Sequence, residues 1–194
     1  SDRILSVLPL HHTYECTLGC LTVLSCGACV SFNDSLRRFP KNIIMYKPTV
    51  IVVVPAILQL LNRRIKKSIC EQLPDKYRTI FENSDIAGAM EKMPLIIRSI
   101  IKNKVRKNLG GSLHTFIVGA AEVPAPLIYD FACVGIRTLQ GYGLTECAPL
   151  LAGNSDFFFN AESTGRAIPG VELRIEDPNE AGIGEITARG KNIM

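Results

Sequence analysis

Gly141-Tyr142-Gly143-Leu144-Thr145-Glu146 threads an aromatic ring, a hydroxyl and a carboxylate between and after two glycines. The run just before it, Val134-Gly135-Ile136-Arg137-Thr138-Leu139, is apolar enough for a strand. The six residues therefore predict a strand-to-loop turn. Such a turn brings a flat ring, a hydrogen-bonding hydroxyl and a metal-binding carboxylate within one ligand's reach, and glycine lets the backbone approach that ligand closely. Taken alone, the segment also fits an ordinary glycine-rich turn.

Working outward, strands and helices alternate. Ile4 to Leu10 predicts a largely apolar strand, and His12 to Ser25 a helix with its small and apolar residues inward. Cys29 to Phe32 reads as a short strand, followed after Asn33-Asp34-Ser35 by a helix to about Tyr46 with Pro40 inside or ending a first turn. Thr49 to Val54 is a β-branched run suited to a buried parallel strand. Pro55 opens a helix to about Gln72, where its missing donor costs nothing. Pro74 to Lys107 predicts irregular helix, interrupted at Gly88 and Pro94. His114 to Val118 predicts a strand, Pro124 to Val134 a helix and Ile136 to Leu139 a strand. Past Phe157-Phe158-Phe159, Gly and Pro punctuate two β segments, Val171 to Ile175 and Gly184 to Ala188. The expected fold class is α/β: a layered, mostly parallel sheet flanked by helices, then a β-rich subdomain. Residues 1–160 would form the first part and 161–194 the start of the second.

Three more segments stand in order around the Tyr-Gly-Leu-Thr-Glu turn. They are Leu8-Pro9-Leu10-His11-His12-Thr13-Tyr14-Glu15, Val118-Gly119-Ala120-Ala121-Glu122-Val123-Pro124 and Gly184-Glu185-Ile186-Thr187-Ala188-Arg189-Gly190. Together the four resemble the adenylate-forming enzymes: acyl-CoA synthetases, peptide-synthetase adenylation domains and luciferases. The likeness is greatest to long-chain fatty acyl-CoA synthetases, and runs from about Ile4 to Asn192. Gly165-Arg166-Ala167-Ile168-Pro169-Gly170 is similar to the family's Gly-x-Pro-x-Pro-Gly turn, with Ala167 in place of the first Pro. The family's phosphate loop, ribose-gripping Asp segment and C-terminal catalytic Lys have no counterpart in the chain. The resemblance thus implies a middle piece of the large N-terminal domain of an acid-thiol ligase, the piece itself inactive.

The resemblance also implies the chemistry. A carboxylate joins the α-phosphate of ATP, pyrophosphate leaves, and coenzyme A then takes the acyl group. Tyr142 would stack on adenine, in a pocket lined by Gly119, Ala120, Ala121, Gly141 and Gly143. Thr145 would donate to the α-phosphate, and Glu146 would hold Mg²⁺, a hard cation suited to carboxylate and phosphate oxygens. His12 falls on the family's motif histidine beside the substrate carboxylate; a carboxylate is already ionised at neutral pH, so the imidazole has only to orient it. His12, Thr145 and Glu146 form the implied catalytic set. His11 is assigned no such role, and Tyr14 and Glu15 would line the acyl tunnel or its gate. Small residues at Gly141, Ala148 and Gly153 leave room for a chain, and no acidic residue waits for an α-amine, which favours a fatty acid. An aryl acid, an acyl-AMP ligase, or a non-catalytic nucleotide- or partner-binding relative stay open as alternatives.

Composition narrows the partners. The 194 residues are 47% apolar and carry a formal charge of +4. Their basic residues gather at Arg63–Lys67 and Arg98–Lys107, interleaved with Ile, Leu and Val as on solvated amphipathic faces. No aromatics alternate with these charges, which argues against nucleic acid. A peripheral membrane contact through Lys102-Asn103-Lys104-Val105-Arg106-Lys107 stays open. Seven scattered cysteines point to a reducing cytosol rather than a disulfide framework. Cys26-Gly27-Ala28-Cys29, with Cys16 and Cys20, is the lesser, metal-thiolate reading. The longest apolar stretch, Val50 to Leu61, is broken by Pro55 and too short to span a bilayer. A small-molecule carboxylic acid and coenzyme A are the expected partners.

Overall fold

Five short strands set the frame. The inner ones, above all Val50–Val53 and Thr115–Val118, are largely buried apolar runs that a parallel sheet covered on its faces accommodates. Cys29–Phe32 lies at the edge and is partly exposed. The computed structural model describes residues 2–194. β1 is Arg3–Ser6, β2 Cys29–Phe32, β3 Val50–Val53, β4 Thr115–Val118 and β5 Arg137–Tyr142. They lie side by side in the order β2-β1-β3-β4-β5, every pair parallel. β6 (Ala152–Gly153) and β7 (Arg166–Ala167) extend the same sheet antiparallel, giving seven strands. β8 (Val171–Glu176) and β9 (Glu185–Gly190) pair with each other in a separate antiparallel hairpin. The expected α/β class and mostly parallel sheet are present.

Parallel neighbours need a crossover, and helices supply it. A π-helix, Glu15–Leu21, runs on into α1, Thr22–Ser25. α2 is Phe39–Tyr46, α3 Pro55–Cys70, α4 Asp75–Glu82, α5 Ile86–Glu91, α6 Leu95–Asn108 and α7 Ala125–Cys133. Pro55 opens α3 at the position where a missing N–H is harmless. The core sits between this sheet and α3, α5 and α7. Ile51, Val53, Phe116 and Val118 present fully buried side chains to Leu58, Ile86, Ile128 and Phe131. Phe116 and Phe131 meet edge to face, centroids 5.1 Å apart at 71°. That geometry contributes roughly 0.5–1.5 kcal/mol beyond the area buried. A second tie is polar: Asp130 of α7 accepts from Asn62 Nδ2 at 2.6 Å and from the Ala87 amide at 2.7 Å. Burial raises the Asp130 carboxyl above its ordinary value, opposed only in part by the Asn62 and Ala87 donors.

Three boundaries differ from the sequence expectation, each for a physical reason. β1 ends at Ser6 rather than Leu10, because the next amide, Val7, donates to the Glu15 carboxylate and not to a neighbouring strand. β5 continues through Gly141 and Tyr142, which pair with Gly153 and Ala152. Those two residues therefore belong to the sheet, and the turn begins only at Gly143. The helix after Asn33 begins at Phe39, four residues later than its Asp-Ser cue suggests. In the π-helix and α1, Leu21 and Leu24 face solvent rather than the core. No described helix is long and apolar enough to cross a membrane.

Candidate active site

Open α/β sheets bind ligands in the crevice outside the carboxyl ends of their strands. The chain follows that geometry. β1 leads into the segment bearing His12, β4 into Gly119-Ala120-Ala121, and β5 carries Tyr142 at its own end. Two hollows meet there. The larger, about 620 Å³, is lined by Ala120–Val123, Gln140–Leu144 and Ala161–Thr164. The smaller, about 210 Å³, is lined by His12–Tyr14, Gly119, Ala120, Gly141–Thr145, Pro149 and Leu150. Ala120 and Gly141–Leu144 line both, so the two form one cleft with Tyr142 between its halves.

Backbone proximity shapes this cleft. A Cβ at Gly143 would collide with the Pro149 carbonyl, so only glycine lets the chain fold back on itself there. At Gly119 a Cβ would press within 3.1 Å of the Tyr14 ring. Ala120 next to it holds φ at +71°, a left-handed conformation that costs a non-glycine residue of order 1–3 kcal/mol. Strain of that kind at a cleft wall persists only where the surroundings fix it.

Of the residues implied by the sequence, His12, Gly119, Ala120, Ala121, Gly141, Tyr142, Gly143 and Thr145 all line this cleft. Glu146 does not. It sits beside Thr145 on an exposed 3₁₀ turn, Thr145–Cys147, with its carboxylate toward solvent. His12 is exposed, and its Nδ1 accepts the Tyr14 amide at 3.2 Å. In the neutral ring this puts the proton on Nε2, which is then free to donate to a ligand. His11 is exposed and lines neither hollow. Tyr14 lines the smaller hollow, 7% exposed, with its hydroxyl unpartnered. Burial, and then the neighbouring Glu15, push that phenol above the ordinary tyrosine value. Glu15 itself is fully buried and lines no part of the cleft, contrary to the tunnel-gate expectation. Ala148 and Gly153 do not line it either: Ala148 sits in an exposed left-handed turn, and Gly153 is the β-partner of Gly141.

One wall was invisible in the sequence. Ala161–Thr164 closes the larger hollow and is held by two buried amides. Gln140 Nε2 donates to the Ala161 carbonyl at 2.8 Å. Asn154 Nδ2 donates to Ser163 O at 2.7 Å while its Oδ1 accepts the Asn160 amide at 2.9 Å. Neither side chain belongs to a motif; only their burial marks them. From the other side, Asn192 beyond β9 donates to the Cys147 and Leu150 carbonyls at 2.8 and 3.0 Å, which fastens the Thr145 turn. Among the described residues no three His, Cys, Asp or Glu side chains converge as a metal site, and the seven cysteines are free thiols. Arg189 stands across the hairpin from Glu172 and forms no ion pair among the described residues.

The family model described as AMP-binding enzyme matches residues 1–194. The chain belongs to the AMP-binding enzyme family. Its curated relatives include long-chain-fatty-acid–CoA ligase 1 of Cavia porcellus, 27% identical over 207 residues, covering 100% of this chain and 29% of the relative. Long chain acyl-CoA synthetase 3 of Arabidopsis thaliana is 27% identical over 218 residues, covering 100% and 32%. The chain thus spans under a third of the length of either. Among solved structures, a long-chain-fatty-acid-CoA ligase from Archaeoglobus fulgidus shares the fold with a TM-score of 0.66 at 22% identity, over 99% of this chain and 35% of that one. The o-succinylbenzoate coenzyme A synthetase of Bacillus subtilis, solved with ATP and magnesium ion, aligns with a TM-score of 0.62 at 20% identity, over 100% and 34%.

Proposed function

We propose that this chain forms part of an ATP-dependent ligase that activates a carboxylic acid, in the first instance a long-chain fatty acid, as acyl-AMP for transfer to coenzyme A. The observation that carries the proposal is the single cleft on which His12, Gly119–Ala121, Gly141–Gly143 and Thr145 converge. The chemistry asks little covalent work of the protein. A carboxylate oxygen bonds to the α-phosphorus as the bond to pyrophosphate breaks; later a thiol sulfur bonds to the acyl carbon as AMP leaves. Positioning and charge stabilisation therefore supply the rate.

The residues have matching capacities. Tyr142 offers a half-buried flat ring to adenine between the two hollows. Ala120 and Ala121 offer small side chains and bare backbone to the purine edge. Thr145 has a hydroxyl to donate toward the α-phosphate, and His12 Nε2–H a donor for the acid's carboxylate. One exposed carboxylate beside the phosphate-facing turn fits Mg²⁺, which is held by one or two carboxylates together with substrate phosphates, and Glu146 is that carboxylate. When bound there, the ion neutralises charge on the phosphates. Tyr14, Pro149 and Leu150 give the smaller hollow an apolar lining on the acid's side. A membrane-borne substrate fits a further surface feature. α6 exposes Leu95, Ile96 and Ile100 at 79, 75 and 57%, followed by Lys102, Lys104, Arg106 and Lys107, a pattern suited to an anionic bilayer surface.

Calorimetric titration with non-hydrolysable acyl-adenylate analogues from acetyl to palmitoyl tests the reading. Affinity should rise with chain length and fall in Tyr142→Ala. Affinity indifferent to chain length would remove the fatty-acid assignment, and affinity indifferent to Tyr142→Ala would remove the adenine assignment.

A further inference from the structure

The chemistry proposed above makes no use of Glu15, yet this is the one acidic side chain with 0% exposure among the described residues. Its Oε1 accepts the Val7 amide at 3.2 Å, and the Ser6 hydroxyl and Leu8 amide lie against the same carboxyl. Its Oε2 has no partner. The carboxyl rests on the bare backbone of Gly19, one π-turn along, where a Cβ would come within 2.6 Å of Oε1. A carboxyl placed so is costly: burial raises its pKa, opposed by the Ser6, Val7 and Leu8 donors. An apolar side chain would fill the same volume without that cost, but would leave the Val7 amide unpaired.

We infer that Glu15 is a positioning residue for His12. The carboxylate clasps both ends of the segment Val7–Glu15, residues eight apart in sequence, into a closed loop. His12 lies inside that loop. Its amide donates to Pro9 O at 3.0 Å, and its Nδ1 accepts the Tyr14 amide at 3.2 Å. Opening the loop would carry the Tyr14 amide away from Nδ1, so the clasp supports both the tautomer and the place of the ring at the cleft. Pro9 within the loop removes one amide that would otherwise compete for these acceptors. The π-helical turn brings Gly19 beneath the carboxyl, and Gly19 makes room for it. The catalytic consequence rests on the proposed function; the clasp itself does not.

Two measurements on the intact protein test this. The first is the nitrogen-15 spectrum of the histidine rings, with His12→Gln identifying the His12 signal. Wild type should show His12 as a single Nε2–H tautomer. Glu15→Ala, and Glu15→Asp with its shorter reach, should show a tautomer mixture. Glu15→Gln keeps an oxygen for the Val7 amide and should resemble wild type. The second is fatty-acid-dependent exchange of pyrophosphate into ATP. Glu15→Ala should lower kcat roughly 10–100-fold with KM for ATP changed by less than about twofold, and Glu15→Gln should recover most of it. The double variant Glu15→Ala/His12→Ala should be no slower than His12→Ala alone, as expected when one residue acts through the other. An unchanged His12 tautomer in Glu15→Asp, or additive losses in the double variant, would overturn the inference. Should Glu15→Ala not fold, Glu15→Asp and Glu15→Gln decide it. Should wild type show no exchange, the proposed reaction fails while the tautomer spectra still decide the clasp.

Discussion

The two walls of the larger hollow are built by different physics. The inner wall, Ala120–Val123 and Gln140–Leu144, hangs from β4, whose Phe116 and Val118 are locked in the apolar core, and from β5. β5 is paired along β4 and preceded by the core residues Val134 and Ile136. The outer wall, Ala161–Thr164, is irregular chain fastened by the amides of Gln140 and Asn154. An apolar wall gives way only when the core does, whereas an amide-pinned wall can loosen by itself. Rigidity in this fold lies beneath the Tyr142 ring, and the amide-pinned side is the wall a ligand could adjust.

The largest effect should come from the inner wall's footing. Phe116→Ala leaves a cavity against Phe131 and should cost about 3–5 kcal/mol in urea unfolding, with every probe of the sheet melting together. A melt confined to the outer wall would break the comparison. Gln140→Ala should cost less, about 1–3 kcal/mol, by orphaning the Ala161 carbonyl. Its signature is local: hydrogen exchange should quicken over 160–164 and leave β4 and β5 protected. Tyr142→Ala removes a ring and no core contact, so adenylate-analogue binding should weaken by about 1–3 kcal/mol of lost stacking. Thermal stability should stay nearly unchanged, and a large loss of it would make Tyr142 a structural residue.

The smallest effect concerns pH. A carboxyl whose folded pKa lies above its ordinary 4.5 binds its proton more tightly when folded. Stability from this group is therefore greatest at low pH, falls as pH rises from about 4.5 through the folded value, and is flat above it. Glu15→Gln has no such titration, so its stability relative to wild type should rise across that window and level off beyond. An equal pH slope in both proteins would show that the Glu15 carboxyl does not titrate with folding.

Much of this was legible beforehand. The β-branched run at Val50–Val53 and Pro55 at a helix start each constrain local backbone and formed as expected, while the Gly-Tyr-Gly-Leu-Thr turn formed only from Gly143 onward. The order of the motifs along the chain was enough to indicate the family. Local preferences were readable from residue order alone: which segments extend, which coil, and where the family's motifs stand. The remainder came from contacts between segments distant in the chain. That β5 runs through Tyr142 depends on a partner strand ten residues later. That Gln140 and Asn154 hold a wall depends on carbonyls brought to them by the fold, and one amide in a sequence looks like any other. Glu15, expected at the acyl tunnel or its gate, is instead buried against the Val7 amide because the chain after β1 folds back over a π-helical turn at Gly19. Periodicity reports a segment's own preferences. Burial and hydrogen-bond partners are properties of pairs of segments, and only the folded chain pairs them.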